Sequence, residues 1–338
     1  MPLVWKMQVY KPGRATIAGS RQRSRWPARV AEPSIALFFL PYSATMTHPE
    51  YILTLSCLDQ RGIVHRVSGF LAERGCNILD SAQFGDQESQ LFFMRVHFAL
   101  EDGAVSDAQL RSDFADLSQA MQLNGPFHGQ LHDARVKPRV MLMVSKIGHC
   151  LNDLLFRYKS GLLNVEIPAI VSNHMEFYQL AASYNIPFHH LPLAAGAPEA
   201  AKLAQEAKII DLMDTHKIDL VVLARYMQIL SPGLCQALDG RAINIHHSFL
   251  PSFKGAKPYA QAHHRGVKLI GATAHFVTGD LDEGPIIEQD VERVDHAMDA
   301  ETLTAIGRDV ECVVLARAVK WFVEHRILKN GDKTVVFR

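Results

Sequence analysis

At 338 residues, with 48% hydrophobic and 21% charged side chains, the chain is long enough for about two globular domains, each burying its own core. Lys and Arg together number 35, as do Asp and Glu, so no charge bias favours a nucleic-acid partner or an anionic membrane surface. No uninterrupted apolar run approaches the roughly 18 residues a membrane span needs, and the five cysteines (Cys57, Cys76, Cys150, Cys235 and Cys312) lack any C-x-x-C spacing, the pattern of reduced thiols in a cytoplasmic protein.

Residues 1–45 stand apart. They carry Lys6, Lys11, Arg14, Arg21, Arg23, Arg25 and Arg29 against the single acid Glu32. We read them as a basic extension, disordered or not native, that precedes a natural start at Met46. The alternative is a transit peptide, which shares this Arg-rich, acid-poor composition and would send the protein to an organelle.

From Tyr51 the pattern becomes regular. Tyr51, Leu53 and Leu55 alternate as in a strand, and the turn Asp59-Gln60-Arg61-Gly62 opens a helix. Ile63, Val67, Phe70 and Leu71 give that helix one apolar stripe, and Gly75 is expected to end it. Strands are predicted over Asn77–Phe84 and Leu91–Leu100, a helix over Ser106–Gln122 with Leu110, Phe114, Leu117 and Met121 on one face, and a fourth strand over Pro126–Leu131. This β-α-β-β-α-β order is a ferredoxin-like α+β plan. It makes 46–132 the first domain, with the charged connector His132–Lys137 leading to a second domain over 133–338.

The second domain alternates strands and helices, the signature of an α/β doubly wound, mostly parallel sheet. Strands are predicted at Arg139–Ser145, Ile167–Ser172, Pro187–Pro192 and Asp219–Ala224, the last an apolar run suited to a parallel strand buried on both faces. Helices are predicted from Gly148 (Leu151, Leu154, Leu155, Tyr158), over Glu176–Tyr184 and over Glu199–Thr215. Further on, a short strand of Ala242, Ile243 and Ile245 carries Asn244 and His246 and stops at Pro251, and Gly255 and Pro258 impose a loop before a helix Tyr259–Arg265. Leu269–Val277 is a strand that ends in a polar loop with Asp280, Asp282, Glu283 and Gly284; Pro285–Glu292, a long helix Ala300–Glu324 and an Asn330-Gly331-Asp332 hairpin complete the chain.

Two strands thus end in loops that carry an amide, an imidazole and a carboxylate, where open α/β sheets bind ligands. Such a set supports acyl transfer or hydrolysis without metal: Asn donates to an oxyanion, His acts as acid or charge stabiliser, and Asp acts as base. The adjacent pairs His189-His190, His246-His247 and His263-His264 offer at most one ligand each on a strand, and no metal is expected.

The motifs N-I-H-H-S-F-L-P-S-F-K-G-A-K-P-Y and H-F-V-T-G-D-L-D-E-G-P-I-I-E-Q resemble those of the folate-dependent formyltransferase family, and the H-H-S-F-L-P-S-F form resembles its deformylase branch. The family's catalytic Asn, His and Asp then fall on Asn244, His246 and Asp282, the seventh residue after His275. The stretch L-A-R-Y-M-Q-I-L-S resembles the family's folate wall, which assigns Met227, Ile229 and Leu230 to substrate, with His275 beside the site and Lys254 and Lys257 near the folate tail. The turn Ser145–His149 has one Gly where the glycinamide ribonucleotide enzymes of the family use a Gly/Ser/Asn-rich phosphate cradle.

The stretch C-L-D-Q-R-G-I-V-H-R-V-S-G-F-L-A-E-R-G-C-N-I resembles the ACT domain, which makes Asp59, Gly62 and Ile63 candidates for an amino-acid effector turn. The resemblances imply a homo-oligomeric hydrolase that converts 10-formyltetrahydrofolate to formate and tetrahydrofolate, with folate as substrate and no separate cofactor. The alternatives are a formyltransferase with an amine acceptor and a non-catalytic sensor of amino acid and folate.

Overall fold

The computed structural model describes residues 48–123, 125–194, 196–250 and 258–338. The basic stretch 1–45, the start at Met46, and Pro251, Lys254, Gly255 and Lys257 lie outside the described residues.

The first half is a four-stranded antiparallel sheet built from β1 (Glu50–Leu58), β2 (Cys76–Asp86), β3 (Leu91–Leu100) and β4 (Phe127–Asp133), in the order β2-β3-β1-β4, with helices α1 (Ile63–Ala72) and α2 (Asp107–Gln122). Period-two alternation sends Leu53, Leu55, Met94, Val96 and Phe98 to the face that meets Val67, Phe70 and Leu71 of α1 and Leu110 and Phe114 of α2. Ser106 caps α2 by accepting from the Gln109 amide at 3.2 Å. The first helix stops at Ala72, short of Gly75, which instead closes the following turn by donating to the Ala72 carbonyl at 3.2 Å.

The second half is a seven-stranded sheet in the order β11-β10-β9-β8-β5-β6-β7. Its strands are β5 (Arg139–Val144), β6 (Glu166–Ser172), β7 (Phe188–His190), β8 (Leu220–Leu223), β9 (Ala242–His246), β10 (Leu269–Phe276) and β11 (Ile286–Arg293). The five from β7 through β9 in that order run parallel, whereas β10 is antiparallel to both its neighbours, β9 and β11, so the sheet is mixed at one edge. Alternate residues of β5 feed two cores. Val140, Leu142 and Val144 pack with Leu151, Leu154 and Leu155 of α3 (His149–Lys159) and Val314, Leu315 and Ala318 of α8 (Ala300–Val323). Met141 and Met143 face Ile209 and Met213 of α5 (Glu199–Thr215) and Leu234 of α6 (Pro232–Ala237).

Two further helices, α4 (Tyr178–Ser183) and α7 (Pro258–Arg265), and the hairpin of β12 (Ile327–Asn330) and β13 (Lys333–Val336) complete the architecture. Helix α6 is not anticipated from sequence, although Ser231 at its N-cap and Pro232 at its first position are its start signal.

The β3 strand is buried on both faces, which a two-layer domain does not explain. On the face away from α1 and α2, Arg95 donates from Nε and Nη2 to the Glu324 carbonyl at 3.2 and 3.1 Å and from Nη1 to Asp80 at 3.1 Å. His132 of β4 stacks on His325 with ring centroids 3.5 Å apart, and Asn330 donates to Asp86 at 2.8 Å. The part of the first sheet around β3 therefore lies between its own helices and the C-terminal hairpin region, while β2 is largely exposed.

Candidate active site

The sheet order reverses at β5, because β6 lies on one side of it and β8 on the other, and the crevice beyond the carboxyl ends of such strands is where doubly wound sheets bind ligands. A cleft of about 330 Å³ opens beyond the carboxyl ends of β8 and β9, lined by Asn244, His246, His247, His275 and Asp282 together with Arg225, Met227, Ile229 and Leu230. All of the sequence-predicted catalytic and substrate residues that the structure describes meet in this cleft.

Register explains how. Antiparallel pairing of β9 with β10 sets Asn244 opposite His275 and His246 opposite Thr273. A bulge at Ala274/His275 in the β10–β11 ladder re-aims the His275 ring. His275 Nδ1 then donates to its neighbour's carbonyl, Phe276 O, at 2.8 Å, which leaves Nε2 to accept from Asn244 Nδ2 at 3.2 Å. That bond fixes the Asn244 amide with its second N–H free for a ligand. His275 itself is buried, and its Nδ1 and Nε2 are engaged by the Phe276 carbonyl and the Asn244 amide, so its ring orients Asn244.

Asp282 sits in the loop after β10, at φ 58°. The loop is held tightly: a Cβ on Gly284 would lie 1.8 Å from the Phe276 carbonyl oxygen, so only glycine fits. Asp282 Oδ2 is 3.1 Å from His246 Nδ1, and Oδ1 is 3.7 Å from His275 Nε2. Burial alone would raise the Asp282 carboxyl. The hydrogen bond that His246 donates, with its charge, outweighs it and holds the group well below the usual carboxylate range. Asp282 is thus ionised across the neutral range and is a weak base. His246 is 4% exposed, and its Nε2 is buried without a protein partner.

The segment after β9 is pinned from β10 and β11. Thr273 Oγ1 donates to the Ser248 carbonyl at 2.9 Å and accepts from the Leu250 amide at 3.1 Å, while Gln289 donates to Thr273 Oγ1 at 2.9 Å and to the Leu250 carbonyl at 3.2 Å. This gives the Gln of the I-I-E-Q motif a structural task. Elsewhere in the cleft Met227 and Ile229 are 58% and 66% exposed, an apolar surface left open to a ligand. The Met227 amide donates to Ser145 Oγ at 2.9 Å, so its backbone N–H is engaged within the protein.

The Ser145–His149 turn is unsuited to phosphate. A Cβ at Gly148 would meet the Phe177 ring at 2.2 Å, Ser145 Oγ is tied to Asn173 at 2.7 Å, and His149 is turned inward to Glu311.

Comparison with known proteins places this geometry in a family. The formyl transferase family model matches residues 138–319, and the ACT domain model matches 51–111. A formyltetrahydrofolate deformylase from Corynebacterium sp. (strain P-1) is 46% identical over 288 residues, spanning 85% of this chain and 98% of that relative. The one from Bacillus subtilis is 46% identical over 286 residues, 84% of this chain and 93% of that protein. The chain belongs to the formyltetrahydrofolate deformylase family. The crystal structure of the deformylase from Burkholderia mallei superposes with a TM-score of 0.80 at 52% identity, covering 86% of this chain and 100% of that one. Glycinamide ribonucleotide transformylase 1 from Symbiobacterium toebii aligns with a TM-score of 0.55 at 28% identity over 60% of this chain and 95% of its own. The likeness to the deformylases thus takes in the N-terminal sheet as well.

In this deformylase-family chain the effector-turn candidates are placed as follows. Gly62 is the left-handed residue (φ 90°) before α1, Asp59 is exposed with its amide donating to the Gln90 carbonyl at 2.9 Å, and Ile63 is buried in the core.

Beneath the catalytic cleft lies a buried polar cluster that sequence reading misses. Glu311 of α8 accepts from His149 Nε2 at 2.8 Å and from Tyr259 Oη at 2.8 Å, and Arg225 Nη1 lies 3.5 Å from its Oε2. Its members come from four elements, so no local spacing announces it. Next to it, His149, Cys150 and Cys312 form the one group of three potential metal donors among the described residues, with ligand atoms within 4.8 Å of one another. None of the three His pairs joins it.

Proposed function

We propose that this protein hydrolyses 10-formyltetrahydrofolate to formate and tetrahydrofolate through Asn244, His246 and Asp282, with the folate substrate and no further cofactor. The observation that carries the proposal is the His246–Asp282 pair at 3.1 Å, which shares one cleft with an Asn244 amide pre-oriented by His275.

The formyl oxygen is taken by the free N–H of Asn244 and by His246, whose Nε2 is buried and open to a partner. Ionised Asp282 accepts a hydrogen bond from the attacking water and keeps the His246 proton in place. Its depressed basicity suits it to orienting that water and taking its proton only as the new C–O bond makes the water acidic. The tetrahedral oxyanion forms against donors already in position. On collapse the C–N bond breaks, the proton passes to N10, tetrahydrofolate leaves and formate remains. Met227, Ile229 and Leu230 form the apolar wall for the folate, and His275 is a positioning residue.

The competing reading, transfer of the formyl group to a phosphate-bearing amine, is disfavoured by the Phe177 ring packed against Gly148 and by the inward turn of His149. The N-terminal sheet is the regulatory domain in this reading, with Asp59, Gly62 and Ile63 near an amino-acid effector and like copies associating as a homo-oligomer. A cytoplasmic location fits the scattered cysteines, all free where described, and the lack among the described residues of a helix long and apolar enough to cross a membrane.

The test is formate release from 10-formyltetrahydrofolate with no amine acceptor, in the full chain and in Asp282→Asn. Release by the first and its loss in the second is expected. Formate release by Asp282→Asn at the wild-type rate would remove Asp282 from the mechanism. A reaction that proceeds only with added amine would make the protein a transferase.

A further inference from the structure

The Arg225 side chain has no task in the mechanism above. It is 8% exposed, its backbone is held in the left-handed region at φ 65°, and it lines the catalytic cleft with Asn244, His246 and Asp282. A long side chain on a backbone conformation that disfavours it marks a position where geometry has been kept despite strain.

Its guanidinium is close to charge-balanced but poorly hydrogen-bonded. The nearest carboxylate oxygen, Glu311 Oε2, stands 3.5 Å from Nη1, and both Glu311 oxygens already accept, at 2.8 Å each, from His149 and Tyr259. Nε and Nη1 of Arg225 are buried with no hydrogen-bond partner among the described residues. A buried cation with unused donors is costly unless something else accepts from it. Beside it in the cleft, burial and the adjacent Arg225 charge push His247 down to about 4, so that ring is neutral at working pH and leaves Arg225 as the charge an anion would meet there.

The acceptor that fits is small, planar and anionic. Two adjacent guanidinium N–H groups match the two oxygens of a carboxylate in a fork. Asp282 does not supply them: its Oδ2 lies 3.1 Å from His246 Nδ1, and no ion pair joins it to Arg225 among the described residues. The folate side chain enters on the open apolar wall of Met227 and Ile229. One carboxylate of the right size is made inside the cleft itself.

We propose that Arg225, with His247 beside it, is a product subsite that binds formate. The inference rests on the hydrolase reading. On collapse of the intermediate, the new carboxylate moves from the Asn244–His246 donors to the Arg225 fork, which clears the oxyanion position for the next substrate and keeps formate from re-entering it. A ligand of three heavy atoms binds no tighter than about millimolar, which suits a group that must leave every turnover.

The experiment titrates 13C-labelled formate into the full-chain protein without folate, following its carbon resonance, and repeats the titration in Arg225→Met and Arg225→Lys. Thermal melts and tetrahydrofolate binding report the fold of each variant. Wild type is expected to bind formate saturably at about millimolar concentration. Arg225→Met should weaken it about tenfold or more, as loss of a charge-assisted fork does. Arg225→Lys, which keeps the charge and loses the fork, should fall between, and it decides the matter if Arg225→Met does not fold. Nitrate, planar and of the same charge, should displace formate, whereas sulfate should not. No saturable binding to wild type, or unchanged binding in folded variants, overturns the subsite and leaves Arg225 as a counter-charge for Glu311 among waters. Formate binding and hydrolysis are read separately. Protein that hydrolyses the substrate without binding formate refutes the subsite alone. Protein that binds formate but releases none from 10-formyltetrahydrofolate refutes the hydrolase reading.

Discussion

Replacing Asn244 by Ala separates chemistry from folding more cleanly than any other single change in the cleft. The side chain makes one described hydrogen bond, from Nδ2 to His275 Nε2 at 3.2 Å. Loss of such a bond costs about 0.5–1.5 kcal/mol of stability, which in a protein of this size lowers Tm by only a few degrees. His275 keeps its Nδ1 bond to the Phe276 carbonyl at 2.8 Å, so its ring stays in place. In the proposed mechanism the second Asn244 N–H meets the formyl oxygen as that oxygen gains charge, and removal of one such donor costs about 10²–10³ in kcat. KM should change far less, since the ground-state carbonyl asks little of it. The assay is formate release under saturating substrate, paired with a melting curve. A kcat within about tenfold of wild type in a folded Asn244→Ala protein would refute the oxyanion role, and a collapse of the melting transition would refute the claim that the residue is structurally dispensable.

Gly284→Ala brings a Cβ to 1.8 Å from the Phe276 carbonyl oxygen, so the loop that carries Asp282 must shift. A displacement of about 1 Å is worth about 10² in rate. Activity should therefore fall by about that factor while melting changes modestly; full activity would show that the loop tolerates the strain. The stacked pair His132 and His325 predicts a pH effect at the joint between the two halves. Burial first, then the Arg111 charge, lowers His132 to about 4, and burial, then His132 and Arg95, lowers His325 to about 3. Both folded values lie below the unfolded one of about 6.5, so this stabilisation is fully present above about pH 6.5 and is lost as pH falls toward the folded values. Urea melts of wild type should weaken between about pH 6.5 and pH 4, and His132→Phe with His325→Phe should flatten that slope. An unchanged slope in the double variant would place the acid sensitivity elsewhere.

Much of the architecture is legible in the amino-acid order alone. Continuous apolar runs such as Leu220–Leu223 mark strands buried on both faces, and Leu151, Leu154 and Leu155 mark a helix stripe, because periodicity reports burial directly. Asn244 and His246 can be placed at a strand end from local pattern, whereas the choice of Asp282 within its polar loop comes from the resemblance to the formyltransferase family. The Arg225–Glu311–His149–Tyr259 cluster is not legible. Each member is an ordinary polar residue in its own stretch, and only the stacking of α8 and α7 beside the ends of β5 and β8 brings them together. The depressed Asp282 carboxyl is equally hidden, since it depends on His246 Nδ1 of a different strand lying 3.1 Å away. Burial of β3 on both faces depends on partners more than 200 positions away, as the Arg95–Glu324 bond shows with a separation of 229.

That shared sheet has a practical meaning for anyone who wants to trim or recombine this chain. Cutting at the connector after β4 would leave Arg95 and Phe93 on a bare face of the N-terminal piece and strip the C-terminal hairpin of its Asp86 anchor. Neither fragment would be a small version of a finished part; each would present a raw, adhesive seam. A swap of N-terminal modules between relatives would have to carry the matching hairpin with it, because the unit of exchange is the joint and not the stretch of chain on either side of it.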